Sequence, residues 1–264
     1  MSTVKQIALW VVLLIGLLGC TTTTPTDTEE PDTTPPDTTE PDPTEPDPTE
    51  LSRLDVLVEN LEAWGLGSEL ITYVSNDHDE WEWYVDQVDT GRHYHVNCGP
   101  ASIEMIGRWL DEDFDGSAEE LRAEFRPEGG WWYGNDIVGA FDMYDIAYNT
   151  YDIEHAGHLT YLLDEGYLLL INNNMTYIPL QEEDGYRTNK HYTVQITGHY
   201  MIVHGYVETD EGLFFEVNDP YGMRARNDDG SPRAMNRFFE ADALLESMLN
   251  WWPGVHAIPP DQNP

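Results

Sequence analysis

Apolar residues change period part-way along this chain, and the change separates a helical part from a stranded part. Leu54, Leu57, Val58, Leu61 and Trp64 fall at i, i+3, i+4, i+7 and i+10, one face of a helix that Gly65 and Gly67 end. A short apolar strand or turn around Ile71 to Val74 follows, then an aromatic, acidic stretch from Trp81 through Trp83 and Tyr84 to Gln87. Pro100 suits a first helical turn, and Ile103, Ile106, Trp109 and Leu110 continue one face from it. Ser117 with Glu120 has the form of a capping box opening a helix that carries Leu121 and Phe125. Another helix is expected from Asn135 through Ile137, Phe141 and Tyr144, and a short one from Leu159 to Glu165, stopped at Gly166. Beyond that point Tyr167 to Ile171, Tyr192 to Ile196, His199 to Val207 and Leu213 to Val217 are apolar, β-branched and aromatic runs of strand length. The last two flank Glu208-Thr209-Asp210-Glu211-Gly212, a hairpin turn. Helices first and strands afterwards predict an α+β class with a mainly antiparallel sheet.

The first fifty residues obey other rules. Residues 1–20 hold one base, Lys5, then the apolar run Ile7 to Leu18, then Gly19 and Cys20. That is the build of an export signal, too short to span a roughly 30 Å hydrocarbon core comfortably. Residues 21–50 are only Thr, Pro, Asp and Glu, with ten acids and no base, so they have nothing to bury and predict an extended, self-repelling linker, ~90 Å long at polyproline rise. Residues 51–264 form one domain, without internal repeat or second linker, and are long enough for one sizeable core. They carry forty acids against eleven bases, which argues against nucleic acid and anionic lipid headgroups as partners. Lys5 and Lys190 are the only lysines, a composition suited to salty surroundings, where screening weakens self-repulsion.

Two cysteines remain, and each has its own reading. Leu17-Leu18-Gly19-Cys20 resembles the lipobox of bacterial lipoproteins, which implies that Cys20 is acylated, that the chain is held to a membrane by its lipid, and that it resides in the cell envelope. Thr21 after the cysteine, rather than Asp, points by the same analogy to the outer membrane. Cys98 is then a lone thiol in an exported protein, either an inert core residue or a nucleophile. At or just before a helix start, unpaired N–H groups and the helix dipole favour its thiolate, and Gly99 allows a substrate backbone to approach. Among nine histidines His199 is best placed as base, because it opens a strand whose hairpin partner ends at Asn218-Asp219-Pro220. With the turn centred near residues 209 and 210, Asp219 falls almost opposite His199 and can hold its ring in one tautomer. His204, an odd number of residues further on, points to the other sheet face and reads as a packed or surface histidine.

Asn97-Cys98-Gly99-Pro100-Ala101-Ser102, Gly198-His199-Tyr200 leading to Val203-His204-Gly205-Tyr206, and Val217-Asn218-Asp219-Pro220 together resemble the Cys, His and Asp blocks of C39-like cysteine peptidases in the papain-like superfamily. The likeness covers most of residues 80–222. It implies a papain-like fold and cleavage of a peptide or isopeptide bond in a peptide or protein substrate. Cys98 is then the nucleophile, His199 the base and acid, and Asp219 the orienter, with no cofactor. It also implies that Gln87, matched by context, completes an oxyanion hole with the Cys98 N–H; its gap of eleven residues to Cys98 is longer than the wider papain-like pattern. A cell-wall amidase or a transglutaminase-like enzyme uses the same residue types, and a surface binding protein on this scaffold needs none of the chemistry.

Weaker motifs change little. Asp111-Glu112-Asp113-Phe114-Asp115-Gly116 matches the first half of a calcium loop, but the twelfth position is Arg122 where a bidentate glutamate belongs, so a solvated connecting loop is expected and no metal. His93-Tyr94-His95 lacks supporting ligand spacing and reads as a loop near the site entrance. Trp131, Trp132 and Tyr133 after Gly129-Gly130 either line a substrate groove or pack in the core.

Overall fold

The computed structural model describes residues 52–78 and 80–262; the export signal, Cys20 and the linker expected within residues 1–50 lie outside them. Helix α1, Arg53–Trp64, opens on a Ser52/Asp55 capping box and closes on Gly65, whose φ of 77° only glycine adopts cheaply. It is followed by strand β1, Leu70–Ser75. Three helices come next: α2, Cys98–Leu110, α3, Ala118–Phe125, and α4, Gly134–Met143. Ser117 and Glu120 make both halves of the capping box that starts α3. The remaining elements are β2 (Asn149–Asp152), α5 (Ala156–Asp164), β3 (Leu168–Asn173), β4 (His199–Thr209), β5 (Gly212–Asn218), β6 (Arg237–Glu240), α6 (Ala241–Leu249) and β7 (Gly254–Ile258). The class is α+β, with helices leading and a sheet following.

Every ladder between these strands is antiparallel, in the order β2-β7-β3-β4-β5-β6, and β1 also pairs with β4. The eleven residues of β4 are long enough to serve two neighbours on one edge, β3 along His199–Val203 and β1 along Gly205–Thr209. Side-chain alternation then separates two cores. Leu168, Leu170, Tyr200, Ile202 and Ile258 join residues of α2 and α4 on one face. Leu169, Ile171, Met201, Val203, Val255 and Ala257 join α5 and α6 on the other. Burial on both faces explains why β3 and β4 read as unbroken apolar runs although the sheet is antiparallel. Within α1 only Leu57 and Leu61 are buried, against Val207, Phe214 and Phe238, whereas Leu54 and Val58 face outward.

The structure corrects three expectations. Tyr192–Ile196 is not a strand: Tyr192 and Ile196 pack beside Val203 and Val217, while the edges of β4 are already taken by β1, β3 and β5. The hairpin turn is two residues, Asp210-Glu211, an irregularity at His204 shifts the β4–β5 register, and that ladder ends at Ile202 and Asn218, so Asp219 lies just past the end of β5 while His199 pairs only with Asn173 of β3. The C-terminal elements β6, α6 and β7 extend the sheet and core beyond the strands expected from the sequence.

Gly205 stands where β4 meets β1, and a Cβ there would lie 2.5 Å from the Val74 carbonyl oxygen. Backbone cannot yield as a side chain does, so Gly205→Ala is expected to destabilise the fold by about 2–3 kcal/mol, measured as a lowered urea midpoint.

Candidate active site

Cys98 is the first residue of α2, His199 the first of β4, and Asp219 follows β5, so three separate elements deliver them to one buried place. His199 Nε2 lies 2.6 Å from Asp219 Oδ1. That leaves Nδ1 for Cys98, whose thiol lies close enough to the imidazole for each group to shift the other's titration. Asp219 is itself held: Oδ1 accepts the Tyr221 N–H at 2.8 Å, Oδ2 accepts the Tyr192 hydroxyl at 2.9 Å, and its carbonyl accepts the Tyr84 hydroxyl at 3.0 Å. A carboxylate fixed on both oxygens fixes the imidazole plane in turn.

The titration behaviour follows from this packing. Burial pushes the Cys98 thiol up, but the hydrogen bond and positive charge of His199, with N–H groups of Tyr200 and Gly99, outweigh burial and hold it below its ordinary value. Burial pushes His199 down, yet the charge and hydrogen bond of Asp219, then those of Cys98, raise it to about 10. Burial raises Asp219, and the His199 charge and the Tyr221 N–H bring it below the usual carboxylate range. All three shifts favour a thiolate–imidazolium pair backed by a carboxylate.

The residues before Cys98 are held by a side chain that sequence reading passed over. Arg122 of α3, only 4% exposed, donates from Nε to Asn97 Oδ1 at 2.7 Å, from Nη2 to the Val96 carbonyl at 2.7 Å and from Nη1 to the Gly130 carbonyl at 2.9 Å. Asn97 in turn donates to the carbonyl and hydroxyl oxygens of Thr90, both at 2.9 Å. All three Arg122 bonds go to uncharged oxygens; burial lowers its pKa, and the negative charge of Cys98 opposes that. Its position directly after buried Leu121, on a short helix, was the available signal.

Gln87 occupies a short 3₁₀ turn, Gln87–Asp89, and is buried. Its Nε2 donates to the Tyr94 carbonyl at 2.9 Å and its Oε1 has no hydrogen-bond partner. Among the described residues no hydrogen bond joins it to Cys98 or His199. His204 is fully buried, edge-on to Trp83 at 5.5 Å, and stands 3.9 Å from Glu216, apart from the Cys98 group. The Asp111–Gly116 segment is a connecting loop in which Asp111 Oδ1 accepts the Asp113 N–H at 3.0 Å and Phe114 lies edge-on to Tyr144. Among the described residues no group of three or more His, Cys, Asp or Glu is placed to hold a metal ion. His93 packs beside Gly129 and is not grouped with His95 on a ligand.

Trp131, Trp132 and Tyr133 divide the two roles expected for them. Trp132 is buried against Gly99, where a Cβ would meet its own Cβ at 3.0 Å, and it joins the helical core. Trp131 and Tyr133 are exposed and, with Trp251 and Trp252 from the loop between α6 and β7, wall a cleft of about 490 Å³ that opens on Cys98.

No protein-family model matches the chain, and no curated protein matches it. Among solved structures it is similar to a "putative C39-like peptidase from Bacillus anthracis", with a TM-score of 0.41 and 13% identity, over 71% of this chain and 98% of that one.

Proposed function

We propose that the protein is a cysteine hydrolase that cleaves a peptide or isopeptide bond, with Cys98 as nucleophile, His199 as acid and base, and Asp219 as orienter. The observation that carries this reading is the buried group in which Asp219 holds His199 at 2.6 Å, with the Cys98 thiol beside the imidazole at the start of α2. The sulfur attacks the substrate carbonyl and the π electrons move to its oxygen. On collapse the C–N bond breaks, the leaving amine takes the imidazolium proton, and a thioester remains. Neutral His199 then removes a proton from water, whose oxygen attacks the thioester and releases the carboxylic acid and the thiolate–imidazolium pair.

The oxyanion meets the N–H groups at the start of α2. In this reading Gln87 adds a second donor through the Nε2 hydrogen not used on Tyr94. Gln87→Ala is then expected to lower kcat about 100-fold while leaving the thiol pKa where it is. Equal kcat in the variant would remove Gln87 from the site.

The deciding experiment is the pH dependence of iodoacetamide alkylation of the full-length protein. A thiol reacting well below about pH 8.5 supports the pair, and an ordinary or unreactive thiol rejects it. Incubation of a reactive enzyme with substrate and an added primary amine separates hydrolysis from transfer, since a transferase incorporates the amine. In the same proposal the chain is anchored in the cell envelope through acylated Cys20. The check is a fatty-acid probe whose incorporation Cys20→Ser abolishes.

A further inference from the structure

The cleft that opens on Cys98 is built around two glycines next to the reactive pair. Trp132 lies against Gly99, the residue after Cys98, and Trp251 lies against Gly198, the residue before His199, where a Cβ would meet its ring at 2.7 Å. Any larger residue at either position would displace the tryptophan. The two indoles therefore stand against the neighbours of Cys98 and His199 in the chain, one buried as a wall and one half exposed at the mouth. Trp131 and Tyr133 are more than half exposed at the same mouth and add aromatic surface to it.

The charge pattern selects the occupant. No Asp, Glu, Lys or Arg lines the cleft. Its one titratable imidazole, His256, is held neutral by burial, which pushes it down to about 4. A charged side chain entering there would lose water and find no carboxylate, ammonium or guanidinium on the wall; the one charge it meets, the Cys98 thiolate, is already compensated by His199. Anions are further opposed by the excess of forty acids over eleven bases in residues 51–264. Cations, which aromatic walls otherwise attract, find two of the ring faces already taken: the Arg122 guanidinium is 5.6 Å from the Trp132 ring centre, and that of Arg126, paired with Asp136, is 5.0 Å from that of Tyr133. What remains is a neutral group with a flat or branched apolar body.

We propose that this cleft binds a large uncharged side chain, aromatic or branched aliphatic, of a peptide substrate beside the bond that Cys98 attacks. The inference rests on the cysteine-hydrolase reading but has a test that needs no turnover. Alkylation of Cys98 in the full-length protein by iodoacetamide is timed in the presence of N-acetyl-phenylalanine amide, N-acetyl-leucine amide, N-acetyl-lysine amide or N-acetyl-aspartate amide. The first two are expected to protect the thiol at concentrations at least ten-fold lower than the charged pair. Trp251→Ala is expected to lose that difference, whereas Tyr161→Ala, on the exposed face of α5, keeps it. Equal or better protection by the lysine or aspartate compound overturns the proposal, as does an unchanged difference in both Trp251→Ala and Trp131→Ala. A mixture of peptides differing only in residues around the scissile bond supplies the second arm. Preferred cleavage beside Phe, Trp, Leu or Ile, by ten-fold or more in kcat/KM over Lys and Asp, is the expected result. Protection without cleavage of any peptide leaves the cleft standing and removes the peptidase reading; cleavage without side-chain preference does the reverse.

Discussion

Replacing His199 by alanine is expected to reverse the sign of the Cys98 shift and to cut turnover about 10⁴-fold. In the intact protein the largest single influence on the thiol is burial, which raises it; His199 supplies both the hydrogen bond and the charge that bring it below its ordinary value. Without the imidazole, the N–H groups of Gly99 and Tyr200 remain, but no cation is hydrogen-bonded to the sulfur. The thiol then titrates at or above about 8.5, and little thiolate is present at neutral pH. The native pH profile follows from the same two groups. The reactive ion pair forms as Cys98 loses its proton, below the ordinary thiol range, and persists until His199 loses its own near pH 10. Turnover therefore rises on an acidic limb set by the thiol and falls on an alkaline limb near 10; in His199→Ala the alkaline limb vanishes and the thiol limb moves up into or above the ordinary thiol range. Rates measured from pH 4 to 11, with alkylation alongside, provide the check; an acidic thiol surviving in the variant would show that the pair does not exist.

Asp219 acts behind this pair, and its location shows what sequence patterns carry and what they do not. Cys98, His199 and Asp219 were legible because each sits in a short run of unusual residue types beside a helix start or strand end, where local rules apply. Their meeting was legible too, although the register was not. The turn contracted to Asp210-Glu211 and an irregularity fell at His204, so Asp219 reaches His199 from beyond the end of β5 rather than across the ladder. Strand β2, with all four residues exposed, offered no hydrophobic alternation to read, and exists because β7 pairs with it. Tyr192–Ile196 had strand composition and no free edge to join. Trp131 and Tyr133 were candidates for the cleft wall from the start, but the opposite wall escaped for a related reason: Trp251-Trp252 come from the far end of the chain, and Trp251 reaches Gly198 only after α6 and β7 dock on the sheet.

Arg122 is the residue whose replacement separates charge from architecture at this site. Its guanidinium spans three oxygens, on Asn97, Val96 and Gly130, that otherwise have to be brought together from the turn before α2 and the loop before α4. Three planar donors on one fork match that task, and an ammonium does not. Arg122→Gln removes the charge and most of the donors, leaving buried carbonyls unsatisfied. A loss of about 2–4 kcal/mol in unfolding free energy is expected, with a raised Cys98 pKa and at least ten-fold slower turnover. Arg122→Lys keeps the charge near the sulfur but cannot span the three oxygens. It is expected to show a similar loss of stability with a thiol that stays acidic. A purely structural Arg122 would give two variants equal in thiol pKa as well as in stability, because disorder at Asn97 would disturb Cys98 alike in both. An electrostatic contribution instead divides them, since the Coulomb attraction between guanidinium and thiolate in a poorly solvated site survives in lysine and disappears in glutamine. Urea unfolding read beside the alkylation profile of the two variants distinguishes these outcomes, and an identical thiol pKa in Arg122→Gln and the native protein would remove the electrostatic part.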